Sequence, residues 1–111
     1  MPITVRPPDI EAEIEFLPTE RGGRRAPAVS GYRPDHDFGL AGTLNGAAHE
    51  YIGCDAAAPG QTVRAHLWLF VPEYQEGRLH PGFEFTVQEG ERIVGRGVVS
   101  KVLNPVLRHD T

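Results

Sequence analysis

Hydrophobic and polar residues alternate without a break from Ile10 to Phe16: Ile10, Ala12, Ile14 and Phe16 share one face, and Glu11, Glu13 and Glu15 share the other. A period of two puts successive side chains on opposite sides of an extended chain, so this segment predicts a strand with one buried and one wet face. The following PTERGGRR supplies Pro18 and the Gly22-Gly23 pair. Glycine takes positive φ without steric cost, so the chain reverses here, and a strand through Ala28, Val29 and Tyr32 is expected to pair back on the first. Between Asp35 and Gln61 the pattern breaks into short pieces, with Phe38 and Leu40 expected in the core and Asn45-Gly46 marking a turn. Alternation returns in TVRAHLWLFVP, where Val63, Ala65, Leu67 and Leu69 define one face and Arg64, His66, Trp68 and Phe70 the other. Two aromatic residues on the nominally wet face mean either that a second layer covers this strand or that it shows an apolar patch to a partner.

Beyond this strand, EYQEGRLHPG reads as a long loop and FEFTVQEGERIVGRGVV as a hairpin. Phe83, Phe85 and Val87 face inward, Glu89-Gly90-Glu91 makes the reversal, and Ile93 to Val99 returns as a strand. Gly95 and Gly97 inside the returning strand leave room for a sharp bend or a close neighbour. The tail NPVLRHDT has little pattern and is expected to fray. About six strands joined by short turns predict an all-β domain, a small antiparallel barrel over residues 10–104 with an arm at 1–9 and a tail at 105–111. Composition agrees: 111 residues suit one domain, and 13 glycines with 10 prolines favour turns over helices.

Charge and motif content narrow the chemistry. A net charge of -4 disfavours a general nucleic-acid binder, because that affinity comes mostly from neutralising phosphates. One cysteine, Cys54, rules out an intramolecular disulfide, and no leader or membrane-spanning run is visible, so the cytoplasm is the expected compartment. No phosphate-cradling GxxxxGKS/T and no GxGxxG dinucleotide signature occurs, so neither nucleotide nor cofactor is expected. Asp35-His36-Asp37, His49-Glu50 and Cys54 would form a mixed-ligand metal site only if their loop folded back on itself. Their spacing matches no recurrent zinc pattern, and a solvated polar loop is the preferred reading; a metal-dependent enzyme is the least favoured of the functions considered.

The basic run RGGRRAPAVSGYRP leaves two readings open. The Gly-Gly turn lets Arg21, Arg24 and Arg25 project together from a strand end, and guanidinium forks match phosphates or carboxylates. Alternatively the glutamates of the first strand and Glu20 balance them at the surface, where each pair is worth little. Tyr32 and Arg33 extend either surface.

Three ordered stretches, GGRRAPAVSGYRP, PGQTVRAHLWLFVP and FEFTVQEGERIVGRGVVSKVL, resemble the third, C-terminal β-barrel domain of elongation factor Tu. That family shows a GGR turn, a GYRP segment, a PG-initiated strand and an EGG hairpin running into SKVL or TKIL. The resemblance covers roughly residues 10–104, with extra residues at 45–58 and 73–81, and it implies a six-stranded antiparallel barrel. It also implies a role in translation: in the family this domain contacts the T-stem of aminoacyl-tRNA through the turn, the GYRP segment and the hairpin, and it contacts the nucleotide-exchange partner. Arg24 matches the turn arginine and Gly90 the first hairpin glycine, while Arg25 stands where histidine is usual. Asp35, Glu84 and Glu91 replace a glutamine, an arginine and a glycine, and Val71 stands where a basic residue is common. With the GTPase domain and second barrel absent, the resemblance implies a non-enzymatic module with a protein partner, or alternatively tRNA or another RNA stem at Arg24 and Arg25. The binding residues expected are Arg24, Arg25, Tyr32, Arg33, Trp68 and Gly90.

Overall fold

The alternating run at the start of the chain becomes β1 (Ile10–Phe16), and its apolar side is buried completely at Ile10, Ala12 and Ile14 in the computed structural model, which describes residues 6–109. Seven further strands follow: β2 (Ala28–Val29), β3 (Asp35–Asp37), β4 (Asn45–Tyr51), β5 (Ala56–Ala57), β6 (Thr62–Leu69), β7 (Glu84–Glu89) and β8 (Arg92–Val102). Six of them close a barrel in the order β1-β6-β4-β3-β7-β8, with β8 returning to β1 and every pair antiparallel. Closure leaves no barrel strand with an unpaired edge for another chain to extend. The all-β barrel expected from the sequence is therefore the architecture observed. Among the described residues, no helix is long and apolar enough to cross a membrane.

Side chains from all six strands fill the barrel. Phe38 and Phe85 pack with ring centroids 4.9 Å apart, and Phe16 meets Tyr51 edge-on at 6.1 Å. Gly97 makes the first of these contacts possible. A Cβ at that position would lie 2.2 Å from Phe85 Cζ, so glycine in β8 is required by the ring opposite it in the β7–β8 register. Gly97→Ala is expected to cost about 2 kcal/mol through overpacking. Urea denaturation checks this, and Phe85→Leu added to Gly97→Ala should recover part of the loss.

Several local expectations are corrected. The segment Ala28 to Tyr32 does not pair back on β1, because β6 and β8 already occupy both of its edges; β2 pairs instead with β5 in a separate two-stranded sheet. Asn45-Gly46 is the start of β4 and not a turn. The Asn45 side chain is buried, donating to the Val71 carbonyl at 3.0 Å and accepting from Gln75 Nε2 at 2.6 Å. A Cβ on Gly46 would stand 2.8 Å from the Phe70 ring, so close approach and not turn geometry explains that glycine.

The tail is ordered through His109. Asn104 Oδ1 accepts from the Val106 amide, a short 3-10 helix spans Pro105–Leu107, and Leu107 is fully buried. Leu79 and Leu107 bury together, and the backbone bonds Leu79 N to Leu107 O and His109 N to Leu79 O, both 2.8 Å, fasten the tail to the long loop. Part of the N-terminal arm is equally fixed. Asp9 is completely buried, and its carboxylate accepts from both Arg6 guanidinium nitrogens, the Leu69 amide and Asn104 Nδ2. The rest of the arm, residues 1–5, and the last two tail residues, 110–111, lie outside the described residues.

Candidate binding surface and the interior histidine pair

The Gly22-Gly23 reversal places Arg24 beside the β7–β8 hairpin. Gly22 sits at φ 93°, and a Cβ on Gly23 would fall 1.9 Å from the Leu17 carbonyl oxygen, so both positions depend on having no side chain in their own way. Arg92, the first residue of β8, donates to the carbonyls of Gly22 (3.1 Å) and Gly23 (2.9 Å) and ties the turn to the hairpin. Arg24 then reaches Glu89, with Nε donating to Oε2 at 2.9 Å, and its guanidinium lies 4.5 Å from the centroid of the Tyr32 ring. Tyr32 completes the cluster by donating its hydroxyl proton to the same Glu89 oxygen at 2.5 Å.

One carboxylate oxygen thus accepts from a cation and a phenol, and the cation rests on the phenol's ring. The Tyr32 hydrogen bond and then the Arg24 guanidinium hold the Glu89 carboxyl below its ordinary range. Burial, reinforced by Glu89, pushes the Tyr32 phenol well above its own, so it remains a donor. Gly90, at φ 63°, turns the hairpin immediately after Glu89, and its carbonyl accepts from Gln88 Nε2.

The six residues expected to bind do not all meet. Arg24, Tyr32 and Gly90 lie together around Glu89. Arg25 is exposed next to them, and among the described residues no hydrogen bond or ion pair holds it. Arg33 turns elsewhere, with its guanidinium 5.7 Å from the Phe70 ring centroid. Trp68 is not a surface residue: it is 5% exposed, and its indole N–H donates to the Arg6 carbonyl at 2.8 Å beneath the N-terminal arm. The two aromatic residues on that face therefore divide between the two readings, since Trp68 is covered while Phe70 is 51% exposed. Neither Glu89, expected only as part of the hairpin reversal and found as the last residue of β7, nor Arg92 is marked by the sequence as a binding residue, yet both organise the surface. The alternating hairpin could have marked Glu89 as outward-facing, but nothing local names a partner 65 positions away.

The histidines expected in a solvated loop lie inside the barrel. His36 of β3 and His49 of β4 are fully buried, with their Nε2 atoms 2.8 Å apart. His36 Nδ1 stands 2.9 Å from the Asn45 carbonyl and His49 Nδ1 3.1 Å from the Tyr51 hydroxyl. A carbonyl can only accept, so His36 carries its proton on Nδ1 and accepts at Nε2; His49 donates from Nε2 and accepts at Nδ1 from Tyr51. One end of this chain sets the tautomer of every ring in it. Burial lowers His36 to about 4, against the opposing influence of its bond to Asn45. Burial and then His36 put His49 well below its usual range, and burial raises Tyr51. Both imidazoles are neutral near pH 7.

His49 meets the Tyr32 ring edge-on at 5.6 Å, so the interior chain lies directly under the surface cluster. Asp35, Asp37 and Glu50 are outside the barrel core, and among the described residues no three His, Cys, Asp or Glu side chains gather in a metal-binding arrangement. No family model matches the chain.

Proposed function

We propose that this protein is a non-enzymatic cytoplasmic binding module of the elongation factor Tu third-domain type, docking a translation-related protein through the surface around Arg24, Arg25, Tyr32 and Gly90. The observation that carries this reading is the convergence of the GGR turn, the GYRP segment and the hairpin on the single oxygen Glu89 Oε2. A surface whose side chains already hold one another loses little freedom on docking, which favours association. The Arg24 charge is already balanced by Glu89, and an RNA phosphate would have to displace that carboxylate; this supports a protein partner over RNA. Arg25, exposed and unpaired among the described residues, is the observation behind the RNA alternative.

Affinity capture from cell extract, compared between the wild type and Arg24→Glu and Arg25→Glu variants, tests the proposal. Translation factors recovered by the wild type should be lost on either charge reversal, and binding measured with a recovered factor should weaken on the order of thirtyfold, as for a central interface residue. Capture indifferent to both reversals would refute the docking surface. A tRNA gel shift at low salt that fades steeply as salt rises would transfer the surface to RNA. Trp68→Ala is unsuited to this test, because it would report packing under the arm.

A further inference from the structure

At the far end of β8, up to about 30 Å along the strand from Arg92, the end of the strand, the 79–81 turn and the tail enclose a cleft of about 310 Å³. Four basic side chains line it: His80, Lys101, Arg108 and His109. Among the described residues, none of those lining it carries a carboxylate, although the whole chain carries a net charge of -4. Glu11, opposite Lys101 in the β1–β8 register, directs its carboxylate to His66 Nε2 at 3.3 Å. Among the described residues, neither Lys101 nor Arg108 has an acidic partner.

Three of these four side chains are held in place. His80 Nδ1 donates to the Pro81 carbonyl at 2.9 Å and His109 Nδ1 to the Gly77 carbonyl at 3.2 Å, so each ring has Nε2 left over. The two rings lie 6.2 Å apart, centroid to centroid. Arg108 uses one nitrogen on the Val102 carbonyl at 3.3 Å and keeps its other donors. Ser100 also lines the cleft but gives its only proton to the Glu11 carbonyl at 3.0 Å. The tail's backbone bonds to Leu79 make the scaffold rigid.

We propose that this cleft binds a phosphoryl group. Its size is at the lower end of small-molecule sites, enough for one phosphate and part of what it is attached to. Lys101 and Arg108 supply two fixed positive charges, which match a phosphate dianion, and the guanidinium adds directional donors. A bound dianion favours protonation of both imidazoles at Nε2, converting each from acceptor to donor. The site is separate from the Arg24 surface and does not depend on the function proposed for it.

Titration with inorganic phosphate, followed through the imidazole nitrogen signals, tests the assignment. His80 and His109 should shift saturably toward the imidazolium signature while His36, His49 and His66 stay in place. Lys101→Gln and Arg108→Gln, both at exposed positions, should each weaken binding on the order of tenfold with unchanged circular dichroism. Ribose 5-phosphate serves as a second ligand: tighter binding than phosphate assigns the cleft to phosphomonoesters, and equal binding assigns it to the free anion. The proposal is overturned if the His80 and His109 signals do not move, if chloride moves them equally, or if the double variant binds phosphate as well as the wild type.

Discussion

Taking the protein from pH 7 to pH 4.5 is expected to remove about 2.5 kcal/mol of stability through His36 alone, with His49 adding to the loss in the same window. The sign follows from where the protons go. In the unfolded chain both rings titrate near 6.5, whereas burial holds His36 to about 4 and His49 well below its usual value when folded. Between those limits the unfolded state binds more protons, so stability is complete above pH 6.5 and falls as the pH drops toward 4. Protonation of His36 places a donor at Nε2 against the N–H that His49 presents there, between two fully buried rings. The loss is a sizeable part of the roughly 5–15 kcal/mol that holds a domain of this kind together. It also precedes the titration of Glu89, whose carboxyl is held below its ordinary range. Urea unfolding at several pH values, followed through the fluorescence of buried Trp68, measures the effect. A midpoint that does not change between pH 7 and pH 5 would contradict the buried neutral pair.

Replacement of Asp9 by alanine is expected to cost about 4 kcal/mol, the range found when one partner of a buried ion pair is removed. Four donors converge on this carboxylate: Arg6 through two nitrogens, the amide of Leu69 and the amide side chain of Asn104. Arg6 is partly exposed and can return to water, but the Leu69 amide cannot, and an unsatisfied buried donor carries its full desolvation penalty. The backbone carbonyl of Asp9 also accepts from Leu103 and Asn104, so displacement of this residue would loosen the exit of β8. Asp9→Asn should help little, since its NH₂ group would face other donors. Thermal and urea unfolding of both variants decide the matter; a loss below about 1 kcal/mol for Asp9→Ala would place the weight of this junction elsewhere.

The parts of the fold readable from sequence are those whose inward positions are apolar. β1, β6 and the β7–β8 hairpin alternate visibly, and all three occur as strands. β3 and β4 were hidden because their inward residues are His36, Asn45, Ala47 and His49, polar or small residues that do not register as a hydrophobic face. Ala47, His49 and Tyr51 do alternate, but that signal becomes legible only once a histidine is allowed as a core residue. The order of the tail is illegible for a related reason: Leu107 is one buried apolar residue whose partner, Leu79, lies far back in the chain. At the surface, the glycine pair identified the Arg24 turn correctly, while the acid that orients Arg24 came from a hairpin whose spatial position no local pattern reveals. The cover over Trp68 is not legible in the pattern because the arm that supplies it precedes the first recognisable strand.

The position of β1 has a consequence for synthesis of the chain. It pairs with β6 and β8, so neither neighbour exists while Ile10, Ala12, Ile14 and Phe16 leave the ribosome. At roughly 5–20 residues per second, the apolar face waits several seconds for β6 and longer for β8. Contacts this distant in sequence also make barrel closure a slow step. During the delay, Glu11, Glu13 and Glu15 alternate with the exposed hydrophobic residues and repel a second nascent strand aligned beside them, as charged gatekeepers do. The same glutamates, of which Glu13 and Glu15 stay exposed on the finished barrel, guard its first strand against aggregation until its partners arrive.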